Sequence, residues 1–179
     1  MKIALLANLK EDAPISPEDP PGRWDDLDDR ITIDEILKSM HELGHEGKYF
    51  PAVLDSIEEL KKFKPDLVFN SSEGHFTESR EAQIPAVLDM LQYPYTCAGV
   101  MGMVLSHNKH LAKRQFITYG LPTAKFMVVS DASVIPESDL RYPMFVKPSS
   151  EGSSIGINEH AVVRNYAELV KQVSWVLET

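Results

Sequence analysis

The segment richest in chemical possibility is Phe145–Ile157, FVKPSSEGSSIGI. An apolar opening ends in Lys147, Pro148 turns the chain, and the run Ser149–Gly156 then carries four serines and two glycines. Glycine lets backbone amides approach an anion closely, and serine adds hydroxyl donors. Lys147 places a positive charge at the entrance of such a cradle. This is not a Walker loop, because no Gly-Lys-Ser/Thr opens a helix. Taken alone, the same composition also describes a flexible Gly/Ser hairpin.

A second group lies in Asn70–Gln83, NSSEGHFTESREAQ, where Glu73 and His75 follow directly on an apolar run. The C-terminal ends of strands are where open α/β sheets bind ligands, so both residues are candidate substrate contacts. A Glu-Gly pair there can also serve only to shape a turn. His41–His45 spells HELGH, the H-E-x-x-H pattern of zinc proteases, but that chemistry needs both histidines on one face of a continuing helix. Gly44 is expected to end the helix between them, which leaves a zinc hydrolase a distant reading. His107 and His110 flank Lys109 on a polar helix start and are adequately explained as solvated. Lys61, Lys62 and Lys64 favour a helix C-terminal dipole more simply than they make a binding patch.

The elements that must position these groups follow from periodicity. Lys2–Ala7 reads as a buried strand. Asn8–Arg30 contains Pro14, Pro17, Pro20, Pro21, Asp25, Asp26, Asp28 and Asp29 and reads as a long exposed loop, either a disordered insertion or a functional lid. Thr32–Gly44 reads as a helix with a Thr32/Glu35 capping box, an inward stripe of Ile33, Ile36, Leu37, Met40 and Leu43, and a left-handed stop at Gly44. Strands near 49–53, 66–70 and 95–98 alternate with helices near 55–63 and 82–91, which predicts a parallel sheet with right-handed crossovers. After Gly99 the texture changes. Helices over 100–106 and 109–119 precede strands over 123–130 and 144–147. The Gly/Ser loop and a short strand follow, and Asn165 with Glu168 caps a last helix bearing Leu169, Val170, Val173, Val176 and Leu177. Two domains are expected, 1–98 and 99–179.

Composition bounds the functions. The chain has 179 residues, 43% hydrophobic and 25% charged, as in an ordinary globular protein. Its net charge of −9 argues against nucleic acid or an anionic membrane as the main partner. There is neither a membrane-length apolar run nor a secretory signal, so a cytoplasmic location is expected. The single cysteine, Cys97, allows no internal disulfide or cysteine-based zinc cluster, and it reads as a small buried residue at a strand end.

Four segments in order and spacing, Tyr93–Val100 (YPYTCAGV), Leu105–Arg114 (LSHNKHLAKR), Gly120–Pro122 (GLP) and Phe145–Ile157, resemble the D-alanine–D-alanine ligases. Asn70–Gln83 is similar to a divergent branch of that family. The resemblance is strong over 66–158 and weak over the first thirty residues. It implies an α/β chain, with a Rossmann-like pre-ATP-grasp domain followed by the first α+β lobe of an ATP-grasp domain. It also implies that Lys109 and Lys147 contact ATP, with Lys147 near the phosphates. The loop Glu151, Gly152, Ser153, Ser154, Gly156 would close over those phosphates through its amides. Ser153 would help orient the first amino acid. Phosphoryl transfer depends mainly on positioning and charge neutralisation, which such a loop supplies.

Two departures qualify what the resemblance implies. The glutamate motif that follows the first strand in the usual ligases is replaced by Asn8-Leu9-Lys10-Glu11-Asp12, so Glu73 and His75 become the candidates for the substrate and its identity stays open. The family's second ATP-grasp lobe, with its magnesium-binding carboxylate and asparagine, has no counterpart before Thr179. No metal ligand is therefore assigned here, and the chain alone is expected to be inactive or nearly so. The expectation is an ATP- and magnesium-dependent ligase of two amino acids, D-alanine first among them and cell-wall synthesis its pathway, with a homodimer through the N-terminal domain possible. Its rivals are a ligase for other amino acids and a non-catalytic α/β binding module.

Overall fold

Five of the six residues of the strand KIALLA are buried, and their alternation explains how. In this strand, β1 (Lys2–Ala7), Ile3, Leu5 and Ala7 pack with Ile33 and Met40 on one side. Ala4 and Leu6 pack with Leu60, Ile84 and Leu88 on the other. Successive side chains of a strand point to opposite faces, so an unbroken apolar run is what a strand covered by helices on both faces requires. The computed structural model describes residues 1–20 and 22–178; Pro21 of the proline-rich run and Thr179 lie outside them.

The chain divides into two units, Met1–Asp19 with Trp24–Val104, and Pro20–Arg23 with Leu105–Thr179. In the first, β1 is the middle strand of a parallel sheet ordered β2-β1-β3, with β2 at Glu46–Pro51 and β3 at Leu67–Ser71. Helix α1 (Arg30–Glu42) covers one face. Helices α2 (Ile57–Phe63) and α3 (Gln83–Leu91) cover the other. Full burial of each core leucine contributes about 1.5–3 kcal/mol, which makes this double-faced strand the anchor of the unit. The α/β class with a parallel sheet is as expected.

Several local expectations are corrected. Helix α1 starts two residues before Thr32, because Asp29 takes the cap position and its carbonyl accepts the amides of Thr32 and Ile33. Glu35 pairs with Lys38 instead, so the Thr32/Glu35 box does not form. Gly44 does adopt the left-handed conformation, at φ +80°, but Leu43 sits at the helix end, 75% exposed, and has left the apolar stripe. The expected fourth strand shrinks to one bridge between Tyr95 and Val68, and Cys97 is exposed, at φ +77°.

The second unit is less regular. Helix α4 (Val100–His107) leads into it from the first, followed by α5 (Lys109–Thr118). Two-residue strands β4 (Met144–Phe145) and β5 (Val162–Val163) pair antiparallel, and α6 (Tyr166–Glu178) closes the description. The expected strand over 123–130 carries no ladder. Met127 and Val129 still pack against Val163, Leu169 and Val173, so the apolar signal was real and the hydrogen-bonding reading of it was not. The Asn165/Glu168 cap forms as expected: Asn165 Oδ1 accepts the Glu168 amide at 3.0 Å, and Glu168 accepts the Arg164 amide at 2.7 Å.

Candidate functional site

In the first unit, one asparagine organises the C-terminal ends of β1 and β3. Asn8, 3% exposed, follows directly on β1. Its Oδ1 accepts the amides of Glu73 and Gly74 at 3.1 and 3.0 Å, and its Nδ2 donates to the Ala52 carbonyl at 3.1 Å and meets His75 Nε2 at 3.3 Å. Sequence reasoning passed over Asn8. A polar residue at the C-terminal end of a wholly apolar strand was the signal available. Leu9, the next residue of the Asn8–Asp12 segment, is fully buried.

Arg80 locks the same turn from below. Its side chain and that of Asp26 are both 2% exposed and meet at 2.6 Å, while Nη1 donates to the Glu73 carbonyl at 3.2 Å. Asp26 Oδ1 is buried with no hydrogen-bond partner among the described residues. Gly74, at φ +70°, lies so close to the Arg80 backbone that a Cβ would come within 2.5 Å of its carbonyl oxygen. Trp24, unassigned from sequence, packs edge-on to His75 with ring centres 5.6 Å apart and donates to Asp19 at 2.9 Å. The acidic loop is thus pinned to the sheet: Leu9 bridges Asp28, and Ser71 donates to the Asp28 carboxylate at 3.1 Å.

These surroundings shift both candidate substrate residues. Burial, reinforced by Glu81 and Asp26, pushes the Glu73 carboxyl up to about 7, with Arg80 opposing. Burial and the positive charge of Arg80 lower His75 below its usual value. Both shifts favour the neutral forms, of a carboxyl and of an imidazole two residues apart.

In the second unit the Gly/Ser loop is stitched to the start of α5. Asn108 caps that helix by accepting the Leu111 amide and donates to Ser150 at 3.0 Å. The Lys109 amide donates to the Ser149 carbonyl at 2.9 Å, and its ammonium donates to the Glu151 carbonyl. His110 Nδ1 lies 2.9 Å from the Ser149 hydroxyl, and His107 is 8% exposed, so neither is the solvated side chain expected. Arg23 pairs with the Glu151 carboxylate at 3.0 Å. Beyond this stitching the loop turns sharply: Ser153, Ser154 and Gly156 have φ of +42°, +65° and +69°. A Cβ on Gly156 would meet Pro148 at 2.5 Å.

Of the expected phosphate contacts, the structure brings Lys109, Glu151 and Gly152–Gly156 together in one loop and helix start. Ser153 and Ser154 are exposed, and Lys147 is exposed with no ion pair among the described residues. Among the described residues no group of three or more His, Cys, Asp or Glu side chains is placed to hold a metal ion, and no residue of this chain is assigned to magnesium. No helix of the described residues is long and apolar enough to cross a membrane.

Comparison with known proteins shows what the chain is similar to. The family described as D-ala D-ala ligase C-terminus matches residues 116–178. The D-alanine–D-alanine ligase of Rickettsia peacockii is 30% identical over 127 residues, 71% of this chain and 39% of that protein. Its counterpart from a Ruegeria species is 32% identical over 123 residues, 69% of this chain and 40% of that protein. The chain therefore matches about two fifths of the length of these relatives. The D-alanine–D-alanine ligase of Bacillus anthracis, solved in complex with ATP, superposes with a TM-score of 0.72 at 18% identity, covering 99% of this chain and 55% of that one. The enzyme from Helicobacter pylori gives 0.63 at 18% identity, covering 99% and 63%. Family, relatives and fold bear out the likeness expected from the motifs.

Proposed function

We propose that this D-alanine–D-alanine ligase-like chain forms an amino-acid-binding domain and the phosphate-gripping part of an ATP-grasp domain, in a protein that joins two amino acids at the expense of ATP. In this reading a carboxylate oxygen of the first amino acid attacks the γ-phosphorus and ADP leaves. The amine of the second then attacks the acyl carbon of the resulting acyl phosphate, and inorganic phosphate leaves. Magnesium would neutralise charge on the phosphates. This chain's own contribution is to position and to neutralise.

The observation that carries the reading is the conformation of residues 151–156. Three left-handed residues in four positions fold the backbone into a tight turn, and no backbone bond among the described residues uses the amides of Gly152, Ser153, Ser154 or Gly156. Backbone donors arranged this way suit phosphate oxygens. Lys147 and Lys109 add positive charge beside them, and the Ser153 hydroxyl is the proposed orienting group for the first amino acid. In the other unit, Glu73 and His75 are the proposed substrate contacts, with Glu73 taking an ammonium.

One observation favours an amino acid other than D-alanine. Asn8 is locked into the 73–75 turn, Leu9 is buried, and Glu11 is held by Arg30 at 2.6 Å, so the end of β1 offers no glutamate of the usual kind. ADP release with magnesium-ATP, measured across single D- and L-amino acids, tests both readings. It is run on this chain and on the longest product of its reading frame. Turnover with D-alanine supports the D-alanine reading, and turnover only with others moves the substrate. Failure of both products to bind nucleotide overturns the ligase reading in favour of a non-catalytic module.

A further inference from the structure

The hydrogen bonds around Asn8 fix more than a turn. A side-chain amide has one accepting and one donating end, and here both are identified by partners whose own roles are not in question. Two backbone amides, of Glu73 and Gly74, point at Oδ1, and a backbone carbonyl, of Ala52, receives Nδ2. The amide therefore cannot be turned over without losing three bonds. The atom facing His75 Nε2 at 3.3 Å is a donor, so Nε2 must accept, and the ring proton of the neutral imidazole must sit on Nδ1.

We propose that Asn8 is a positioning residue that holds His75 as the uncharged Nδ1–H tautomer, making it a fixed hydrogen-bond donor rather than a base at Nε2. This rests on the reading of Glu73 and His75 as substrate contacts only for its use, not for its geometry. An imidazole held in this form complements an oxygen acceptor of an amino acid, a carboxylate or carbonyl, while Glu73 two residues away complements an amine. Protonating Nε2 would set two donors against each other across 3.3 Å. Arg80 also opposes the imidazolium, while Asp12 and Asp26 favour it, and Trp24 and Phe76 pack on the ring without charge.

Long-range proton–nitrogen NMR of the 15N-labelled chain reads the tautomer directly, with the His75 signals assigned by their loss in His75→Gln. The wild-type chain should show His75 neutral at pH 7 with the proton on Nδ1. In Asn8→Asp the facing atom becomes an acceptor, so the proton should move to Nε2 and the ring should titrate at a higher pH by about one unit or more. Finding the Nε2–H tautomer in the wild-type chain overturns the proposal whether or not the variants fold. So does a His75 spectrum unchanged by Asn8→Asp. An Nδ1–H tautomer in a protein with no ligase activity on any amino acid would leave this inference standing and remove the ligase reading instead.

Discussion

The two regions that carry the candidate chemistry are built on opposite principles. The turn after β3 is held by side chains: Asn8 grips two of its amides, and the buried Arg80–Asp26 pair grips a carbonyl from the other side. In the loop after β4 the side-chain ties stop at Glu151. Beyond them residues 152–156 are held by their own backbone, through the Ile155 amide to the Gly152 carbonyl and the Ile157 amide to the Ser154 carbonyl, and are exposed or half-exposed apart from the anchor Ile155. A side-chain network recognises one arrangement of donors and acceptors and suits discrimination between similar small molecules. A backbone turn with nearby lysines recognises charge and shape in general, which suits a phosphate common to every turnover. The contrast predicts that changes in the first region are felt as lost stability and altered selectivity. Changes in the second should be felt as lost nucleotide affinity in a protein that still folds.

The sharpest test of that division is Asp26→Asn. It preserves shape but removes the buried carboxylate that meets the Arg80 guanidinium at 2.6 Å, and breaking such a buried pair costs about 3–5 kcal/mol. Urea denaturation of the first unit should show a midpoint lowered to match, and a change below about 1 kcal/mol would mean that the pair is not buried as described. The two glycines give a matched comparison of next size. Gly74→Ala forces a Cβ against immovable backbone at 2.5 Å, whereas Gly156→Ala meets the edge of a proline ring at the same distance. With left-handed strain common to both, Gly74→Ala should cost about 2–4 kcal/mol and Gly156→Ala about 1–3 kcal/mol. Only Gly156→Ala should weaken nucleotide binding as well, as measured by calorimetry with ATP.

Lys147→Ala separates affinity from stability. The side chain is exposed and unpaired among the described residues, so unfolding should move by less than about 0.5 kcal/mol. Loss of one charged contact to a phosphate should lower ATP affinity about tenfold or more. An unchanged affinity would remove Lys147 from the phosphate site and leave Lys109 as its cation.

What the sequence showed and hid follows the same division. β1 was legible to the residue because burial on both faces leaves an unbroken apolar run. The left-handed stop at Gly44 and the Asn165 cap were legible because each depends on neighbours in sequence. The Gly/Ser loop was legible for that reason too. Thr32/Glu35 misled because Asp29 offered an earlier start, and 123–130 misled because apolar alternation reports packing and not pairing. The network at the end of β3 was half hidden. Glu73 and His75 stood out by position, but Asn8, Trp24, Asp26 and Arg80 are joined to their turn across separations of up to 67 residues, and no local pattern marks such partners.

The smallest expected effect is the most specific to the proposed amine site. Glu73 is raised from 4.5 to about 7 chiefly by burial, so between those values the folded chain holds a proton that the unfolded chain has released. Stability must therefore fall as pH rises through that window and level off above it. His75, lowered by burial, contributes the opposite slope: stability present above its ordinary pKa near 6.5 and lost as pH falls below it. Glu73→Gln removes the first slope and keeps the second, so its stability at pH 8 relative to wild type should exceed that at pH 5. Because Glu73 is only half-buried, solvent screening keeps the difference to about 1 kcal/mol or less. An ammonium bound beside Glu73 needs the ionised carboxylate, so binding an amino acid from pH 6 solution should release a proton in the wild-type chain and none in Glu73→Gln. Equal proton release in both would place the amine elsewhere and leave the side-chain network of the first unit without the selectivity its construction implies.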